Sequence, residues 1–269
     1  MAYPRISVDG AIVVITGGAR GIGRSTADSF IAGGATVCVG DIDGGDFAVD
    51  VTSRDSFAEF IASVIERHGR IDVLVNNAGV MPLGDFLSED VAISRTTVDV
   101  NVWGLIHGMR LVLPHMMERG RGHIVNVASM AGKLVIPGMA VYNASKFAAV
   151  GLSAAVREEY RDSGVSVTTV LPSAVRTRLA SGVPLGRGLP TVEPEAVARA
   201  IVSSVASRRA EITVPRYLAA WDLLSAATPD AVMNLARRVI RDRRALTSIE
   251  HDVRGDYEKS IEEQARGRR

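Results

Sequence analysis

Seven short apolar runs recur along the chain: Ala11–Thr16, Thr36–Asp41, Phe47–Val51, Ile71–Asn76, His123–Ala128, Ser166–Leu171 and Glu211–Val214. They are rich in Val and Ile, and most are apolar at successive positions, not alternate ones. Continuous apolarity marks strands covered on both faces, as in a parallel sheet. Between them lie longer stretches with helical spacing: Ile22–Ile31, Arg54–Arg67, Glu89–Glu118, Val141–Asp162 and Glu195–Ser207. Thr52 or Ser53 is placed to cap the second of these. Glu89–Glu118 is too long to run without a break. Repeated β-α-β units predict an α/β architecture with a doubly wound parallel sheet.

Three segments depart from that rhythm. Only Ile42-Asp43-Gly44-Gly45-Asp46 separates the second run from the third. A parallel crossover normally needs about a dozen residues, so a bare loop and a shortened third strand are expected. Arg176–Pro194, with Pro184, Gly186, Gly188 and Pro190, reads as a loop where a substrate lid could sit. From Tyr217 to Ile240, Leu218, Trp221, Leu224, Val232, Leu235 and Val239 face a basic edge of Arg237, Arg238 and Arg241, and Pro229 splits the stretch. This predicts an amphipathic helix pair packed on the body or on another subunit, with a lipophilic substrate cover or a membrane-surface contact as the alternative. The expected division is therefore a catalytic body over 1–215 and a helical extension over 216–269. Past Ala245 the charges mix, and Arg266-Gly267-Arg268-Arg269 is expected to fray.

Composition narrows the field. The chain has 269 residues, 31 Lys plus Arg against 30 Asp plus Glu, and a formal charge of +1. Charge that balanced offers no broad field for nucleic acid, and 47% hydrophobic with 23% charged residues is an ordinary folded mix. Cys38 is the single cysteine, which rules out an intrachain disulfide and a Cys-rich zinc site. His68, His107, His115, His123 and His251 have no metal-pair spacing, so no metal is expected. The start lacks the apolar stretch of a leader, and no run approaches the roughly 18 apolar residues of a spanning helix. A cytoplasmic protein is expected.

The first run leads into Thr16-Gly17-Gly18-Ala19-Arg20-Gly21-Ile22-Gly23 and then a helix. Glycines let the backbone approach a pyrophosphate, and a helix N-terminus supplies N–H groups and positive partial charge. Gly18 to Ser25 also reads as a near-Walker A loop, but Arg24 stands where that loop needs lysine. Asp41 ends the second run. A carboxylate there accepts from both ribose hydroxyls and repels a 2′-phosphate, which favours NAD. Arg20 argues the other way, and keeps NADP as the alternative.

Tyr142 and Lys146 stand four apart near the start of a helix, on one face and about 6 Å apart along its axis. For the phenol to work near neutrality its pKa must fall by about three pH units, or about 4 kcal/mol, and the ammonium is the stabilising charge. Ser129 follows the fifth run, at the strand end where ligands of open α/β sheets bind. Its hydroxyl and that of Tyr142 would form a donor pair for a developing alkoxide.

Thr16–Gly23, Asn76-Asn77-Ala78-Gly79, Asn101, Ser129, Tyr142-x-x-x-Lys146 and Pro172 to Thr177 together resemble, in order and spacing, the short-chain dehydrogenase/reductase family, over roughly Ala11 to Val214. The resemblance implies a Rossmann-type fold and hydride transfer between a nicotinamide and an alcohol/carbonyl pair. It implies that Tyr142 is the acid/base, that Lys146 holds the nicotinamide ribose and lowers the phenol's pKa, that Ser129 binds the substrate oxygen, and that Asn101 keeps a water linking the lysine to solvent. The cofactor residues implied are Gly17, Arg20, Gly21, Ile22, Gly23, Asp41, Ile42, Asp50, Val51, Asn77, Ala78, Gly79, Pro172, Val175 and Thr177, with Tyr142 and Lys146. The family's usual Pro-Gly is Pro172-Ser173 here, and the helix after Asp41 is missing. The substrate expected is a hydrophobic alcohol or ketone, because Leu134-Val135-Ile136 and the tail are apolar. Small residues at Ala148, Gly151 and Ala155, with the family's habit of pairing through that helix, imply a homodimer or homotetramer. An NADPH-dependent biosynthetic ketoreductase and a catalytically silent dinucleotide-binding regulator are the competing readings.

Overall fold

A computed structural model of the chain describes residues 3–182, 190–221 and 251–266. Seven parallel strands form one sheet: β1 Ile12–Thr16, β2 Thr36–Asp41, β3 Phe47–Ala48, β4 Val73–Asn76, β5 Gly122–Val127, β6 Val165–Pro172 and β9 Glu211–Val214. Their order is β3-β2-β1-β4-β5-β6-β9, and β7 Ala174–Val175 pairs separately with β8 Thr191–Val192. The helices are α1 Gly21–Ala32, α2 Arg54–His68, α3 Val91–Val98, α4 Gly104–Glu118, α5 Ala140–Glu159, α6 Pro194–Ser207 and α7 His251–Arg266.

Alternation along the strands fills both faces. Val14, Leu74 and Ile124 join Phe57, Phe60 and Met116 on one side, while Val13, Val75 and Val125 join Phe30, Val197 and Ile201 on the other. That double coverage is why the strands read as unbroken apolar runs. The register aligns Thr16 with Gly40 and Asn76, and Asn76 with Asn126. Strand ends therefore share one carboxyl edge, and the order reverses direction between β1 and β4, which opens a crevice there.

The third strand is shorter than its apolar run, two residues in place of Phe47–Val51. Gly44 and Gly45 take φ of 107° and 85°, and Asp46 hydrogen-bonds Val39 through both its backbone N–H and its carboxylate. The chain thus doubles back tightly enough to lay Phe47 beside Gly40 with no helix between. Of the two candidate caps for α2, Ser53 accepts from Ser56 N. The fourth strand starts two residues late, because the buried Asp72 carboxylate takes the Ile12 N–H at 3.0 Å and pairs with Arg70 and Arg119. The long helical stretch breaks at a π-turn over Asp99–Trp103.

The end of the chain is helical. Past Ala245 the mixed charges form α7, a 16-residue helix up to Arg266, with Arg254, Tyr257, Ile261 and Ala265 buried at helical spacing. The amphipathic pair expected over Tyr217–Ile240 lies mostly outside the described residues, beyond a short turn at Arg216–Ala220. No described helix is long and apolar enough to cross a membrane.

Candidate active site

The glycine turn is set by close approach. A Cβ on Gly17, which has φ 64°, would sit 2.7 Å from Ala78 Cα, and one on Gly23 would sit 2.2 Å from the Gly17 oxygen. Neither position accepts a side chain. Asn77 fixes the partner loop by donating from Nδ2 to the oxygens of Thr16 and Gly17, at 3.1 and 2.8 Å. α1 then begins at Gly21 with no acidic residue in its first turn and no side-chain cap from Arg20. Its leading N–H groups and dipole suit an anion.

Asp41 is buried at the end of β2. Its carboxylate accepts from Ala19 N at 3.0 Å and Asp43 N at 3.2 Å, so it also shapes the turn. The Arg20 guanidinium lies 3.2 Å from Asp43 and 3.7 Å from Asp41. Asp50 Oδ1 accepts from the Thr52 N–H and hydroxyl, and the Val51 oxygen lies 3.0 Å from His107 Nδ1.

Farther along the edge, α5 delivers Tyr142 and Lys146, each 6% exposed. Ser129 borders the same cavity as Tyr142, and its Oγ accepts from Ala131 N at 3.1 Å. Lys146 Nζ donates to the Val127 oxygen at 3.2 Å and lies 5.7 Å from the centre of the Tyr142 ring. Burial pushes the lysine down to about 8. The phenol departs from the drop its chemistry calls for. Burial pushes it above its ordinary value, the Ser129 hydrogen bond pulls it down, and the nearby Tyr257 raises it further. Desolvation outweighs the one favourable contact, so the chain alone does not make this phenol acidic.

These groups line one cavity of about 320 Å³. All the expected site residues border it except Asn101 and Gly23. Gly23 instead gives room to the turn. Asn101 sits behind the wall at the π-turn, accepting from Val80 N and donating to the Val80 oxygen, both at 2.9 Å, and to Ser145 Oγ at 3.0 Å. Ser145 in turn donates to the backbone carbonyl of Tyr142 at 2.7 Å. Asn101 therefore acts through the backbone it holds. Ser173, in place of the family's glycine, borders the cavity with a buried hydroxyl that has no partner among the described residues. The glycine cradle and that orphaned hydroxyl both fit a dinucleotide laid along the edge.

α7 lies within the expected helical extension, but its residues were not among the expected site residues. Tyr257, Ser260, Ile261 and Gln264 border the same cavity. Their spacing of 257, 260, 261 and 264 is one face of a helix, and it was the only available signal amid mixed charge. Met81, Ala131, Met139 and Tyr142 form an apolar cluster, with Ile136 and Leu179 against it. Among the described residues, no three His, Cys, Asp or Glu side chains group as a metal site.

A doubly wound sheet with this cradle and this Ser–Tyr–Lys group defines an NAD(P)-dependent oxidoreductase acting on CH–OH groups. The chain belongs to the short-chain dehydrogenase/reductase family, whose short chain dehydrogenase model matches residues 11–186. It is 32% identical over 255 residues to estradiol 17-beta-dehydrogenase 11 of Rattus norvegicus, across 87% of this chain and 85% of that one. A short-chain dehydrogenase/reductase of Burkholderia phymatum in complex with NAD superposes with a TM-score of 0.73 at 25% identity, covering 82% of this chain and 93% of that one. A 3-ketoacyl-(acyl-carrier-protein) reductase of Brucella melitensis complexed with NADH gives 0.70 at 26%, covering 78% and 99%.

Proposed function

We propose that the protein transfers hydride between NAD(H) and a secondary alcohol or ketone with a largely apolar body, using Tyr142 as the acid/base. The observation that carries this reading is that Ser129, Tyr142 and Lys146 line one cavity together with the glycine turn and with Met81, Ala131 and Met139 of the apolar cluster. In oxidation the substrate hydroxyl sits between Ser129 and Tyr142 and gives its proton to the Tyr142 oxygen. In ketone reduction the phenol returns it, and Ser129 holds the developing alkoxide. NAD+, when bound, accepts the hydride and adds positive charge beside the phenol. Lys146 is placed to hold the ribose, and its ammonium favours the phenolate. Asn101 is assigned a positioning role through Val80 and Ser145.

NAD is favoured over NADP because Arg20 is held between two carboxylates, Asp41 and Asp43. A 2′-phosphate would have to break that arrangement and meet both charges. A homodimer or homotetramer is supported by Trp103 and Phe147, 46% and 43% exposed, beside the exposed small residues Ala148, Gly151 and Ala155 of α5. The buried free thiol of Cys38 fits a reducing compartment, the cytoplasm.

The test is Tyr142→Phe, followed at the reduced-nicotinamide absorbance band with a panel of ketones. Loss of the proton donor is expected to cut kcat by about 10³-fold. NADH affinity, read by fluorescence titration, stays within about twofold, since the ring remains in place. Undiminished turnover would leave a catalytically silent role for this pair and end the proposal.

A further inference from the structure

α7 grips the substrate side of the cavity through Arg254 and Tyr257. Arg254 is fully buried. Its Nη1 donates to the oxygens of Leu179 and Ser181 at 3.2 and 2.9 Å, its Nη2 to the Met81 oxygen, and its Nε to Glu258 at 3.1 Å. Its guanidinium also lies 5.0 Å from the Tyr257 ring. The Tyr257 hydroxyl accepts from Met81 N at 2.9 Å. Both backbone groups of Met81 are thus taken by α7, one residue after Asn101 has taken both of Val80.

Burying a guanidinium is costly unless its donors are satisfied. Here they are satisfied mainly by carbonyls of two separate loops, after β4 and after β7. A residue that served only to dock a helix could be apolar, as Ile261 and Ala265 are. The bonds to Met81, Leu179 and Ser181 fix the loops whose side chains form the apolar wall. Arg254 also orients the face of α7 carrying Tyr257, Ser260, Ile261 and Gln264. Ser260 donates to the backbone carbonyl of Tyr257 and keeps its lone pairs for an acceptor role. Gln264 has no hydrogen bond among the described residues, and it borders the cavity.

We propose that Arg254 is a positioning residue that locks both substrate loops to α7, and that Gln264 with Ser260 selects a second oxygen function on the far side of an apolar substrate. This inference rests on the reading of Tyr142 and Ser129 as the reacting end. The apolar cluster takes the body of the ketone or alcohol, and the α7 amide and hydroxyl meet a distal hydroxyl or carbonyl. A site built to bond such a group discriminates against the analogue without it, because its own polar atoms would be left unpaired.

The experiment uses the full chain, NADH, benzylacetone and its para-hydroxy counterpart, raspberry ketone. The wild type is expected to prefer raspberry ketone in kcat/KM. Gln264→Leu should shift that preference toward benzylacetone by about tenfold. Arg254→Met should raise KM for both ketones by about tenfold, with a smaller fall in kcat and NADH affinity within about twofold. Hydrogen–deuterium exchange of Arg254→Met should show faster exchange in peptides spanning 79–83 and 178–182. The 12–30 peptide should be unchanged, which serves as the folding control. Tyr257→Phe, which removes only the acceptor of Met81 N, should quicken 79–83 alone. An unaltered KM and unaltered exchange in Arg254→Met would overturn the positioning role. An unaltered preference in Gln264→Leu, or a wild type inert to both ketones, would overturn the substrate class. Failure of the Tyr142 reading is separate, since it appears as turnover surviving in Tyr142→Phe.

Discussion

The two halves of the cleft are shaped by different means. On the β1–β2 side the geometry is steric: Gly17 and Gly23 leave no room for a Cβ beside Ala78 and the Gly17 oxygen. On the β5–α7 side it is made by side chains reaching distant carbonyls, with Arg254 bonded to residues 173, 75 and 73 positions away. A steric demand restricts the residue type at each position and so writes a short motif. A carbonyl can be met by any donor that arrives, so the contacts made by α7 leave no local signature. The comparison predicts that the halves fail independently.

The sharpest way to break it is Gly23→Ala. The new methyl would overlap the Gly17 oxygen, a backbone atom that cannot move without opening the turn. A cost of about 3 kcal/mol on the dinucleotide, roughly a hundredfold in Kd, is expected from the combined strain and lost anion contacts. NADH fluorescence titration reads it. Hydrogen exchange in the 79–83 and 178–182 peptides should match the wild type. If NADH binds within about twofold, close approach does not define this half; if the distant peptides also loosen, the halves are one unit.

Lys146 sits where the halves meet, and its burial has a stability consequence. The folded lysine titrates near 8, against about 10.5 for a freely solvated lysine. Between those values the unfolded chain holds the extra proton, so the lysine's contribution to stability rises with pH through this window and is least favourable below 8. The gap corresponds to about 3 kcal/mol. Lys146→Met is therefore expected to lose turnover while unfolding at higher denaturant than the wild type at pH 7. From pH 7 to 10 the wild type should recover about 2–3 kcal/mol relative to the variant, measured by urea denaturation at each pH. Parallel curves for the two proteins would show that the ammonium is not desolvated.

Legibility follows the same division. The doubly wound parallel sheet and the turn around Gly17, Asp41 and Asn77 were readable because apolar runs and glycine spacing are local, whereas the strand order was not. The break in Glu89–Glu118 was foreseen, though not that Asn101 would occupy it, since a π-turn carries no composition of its own. Gly23, read as part of the glycine turn, and Asn101, read as the holder of a water linking Lys146 to solvent, do not border the cavity themselves. The pKa of Tyr142 could not be read at all, because desolvation depends on what covers the phenol, and part of that cover is α7. α7 itself looked like mixed charge because its buried residues are few and one of them is an arginine.

The smallest effect tests the finest claim on the cradle side, the choice between cofactors. Arg20 is 45% exposed and Asp43 is 65% exposed, so the pair is screened and worth under about 1 kcal/mol. Asp43→Asn removes one of the two charges that hold the guanidinium and repel a 2′-phosphate, while buried Asp41 keeps the turn through Ala19 N. The ratio of kcat/KM for NADPH to that for NADH should rise by about fivefold at low salt and by less at high salt. The KM for ketone should move by less than about twofold, because Asp43 pairs with Arg20 and not with α7, and only the Arg20 charge is felt there, at Tyr257. A ratio unchanged at every salt concentration would mean that Arg20 is not restrained by Asp43, and that Asp41 alone sets the preference.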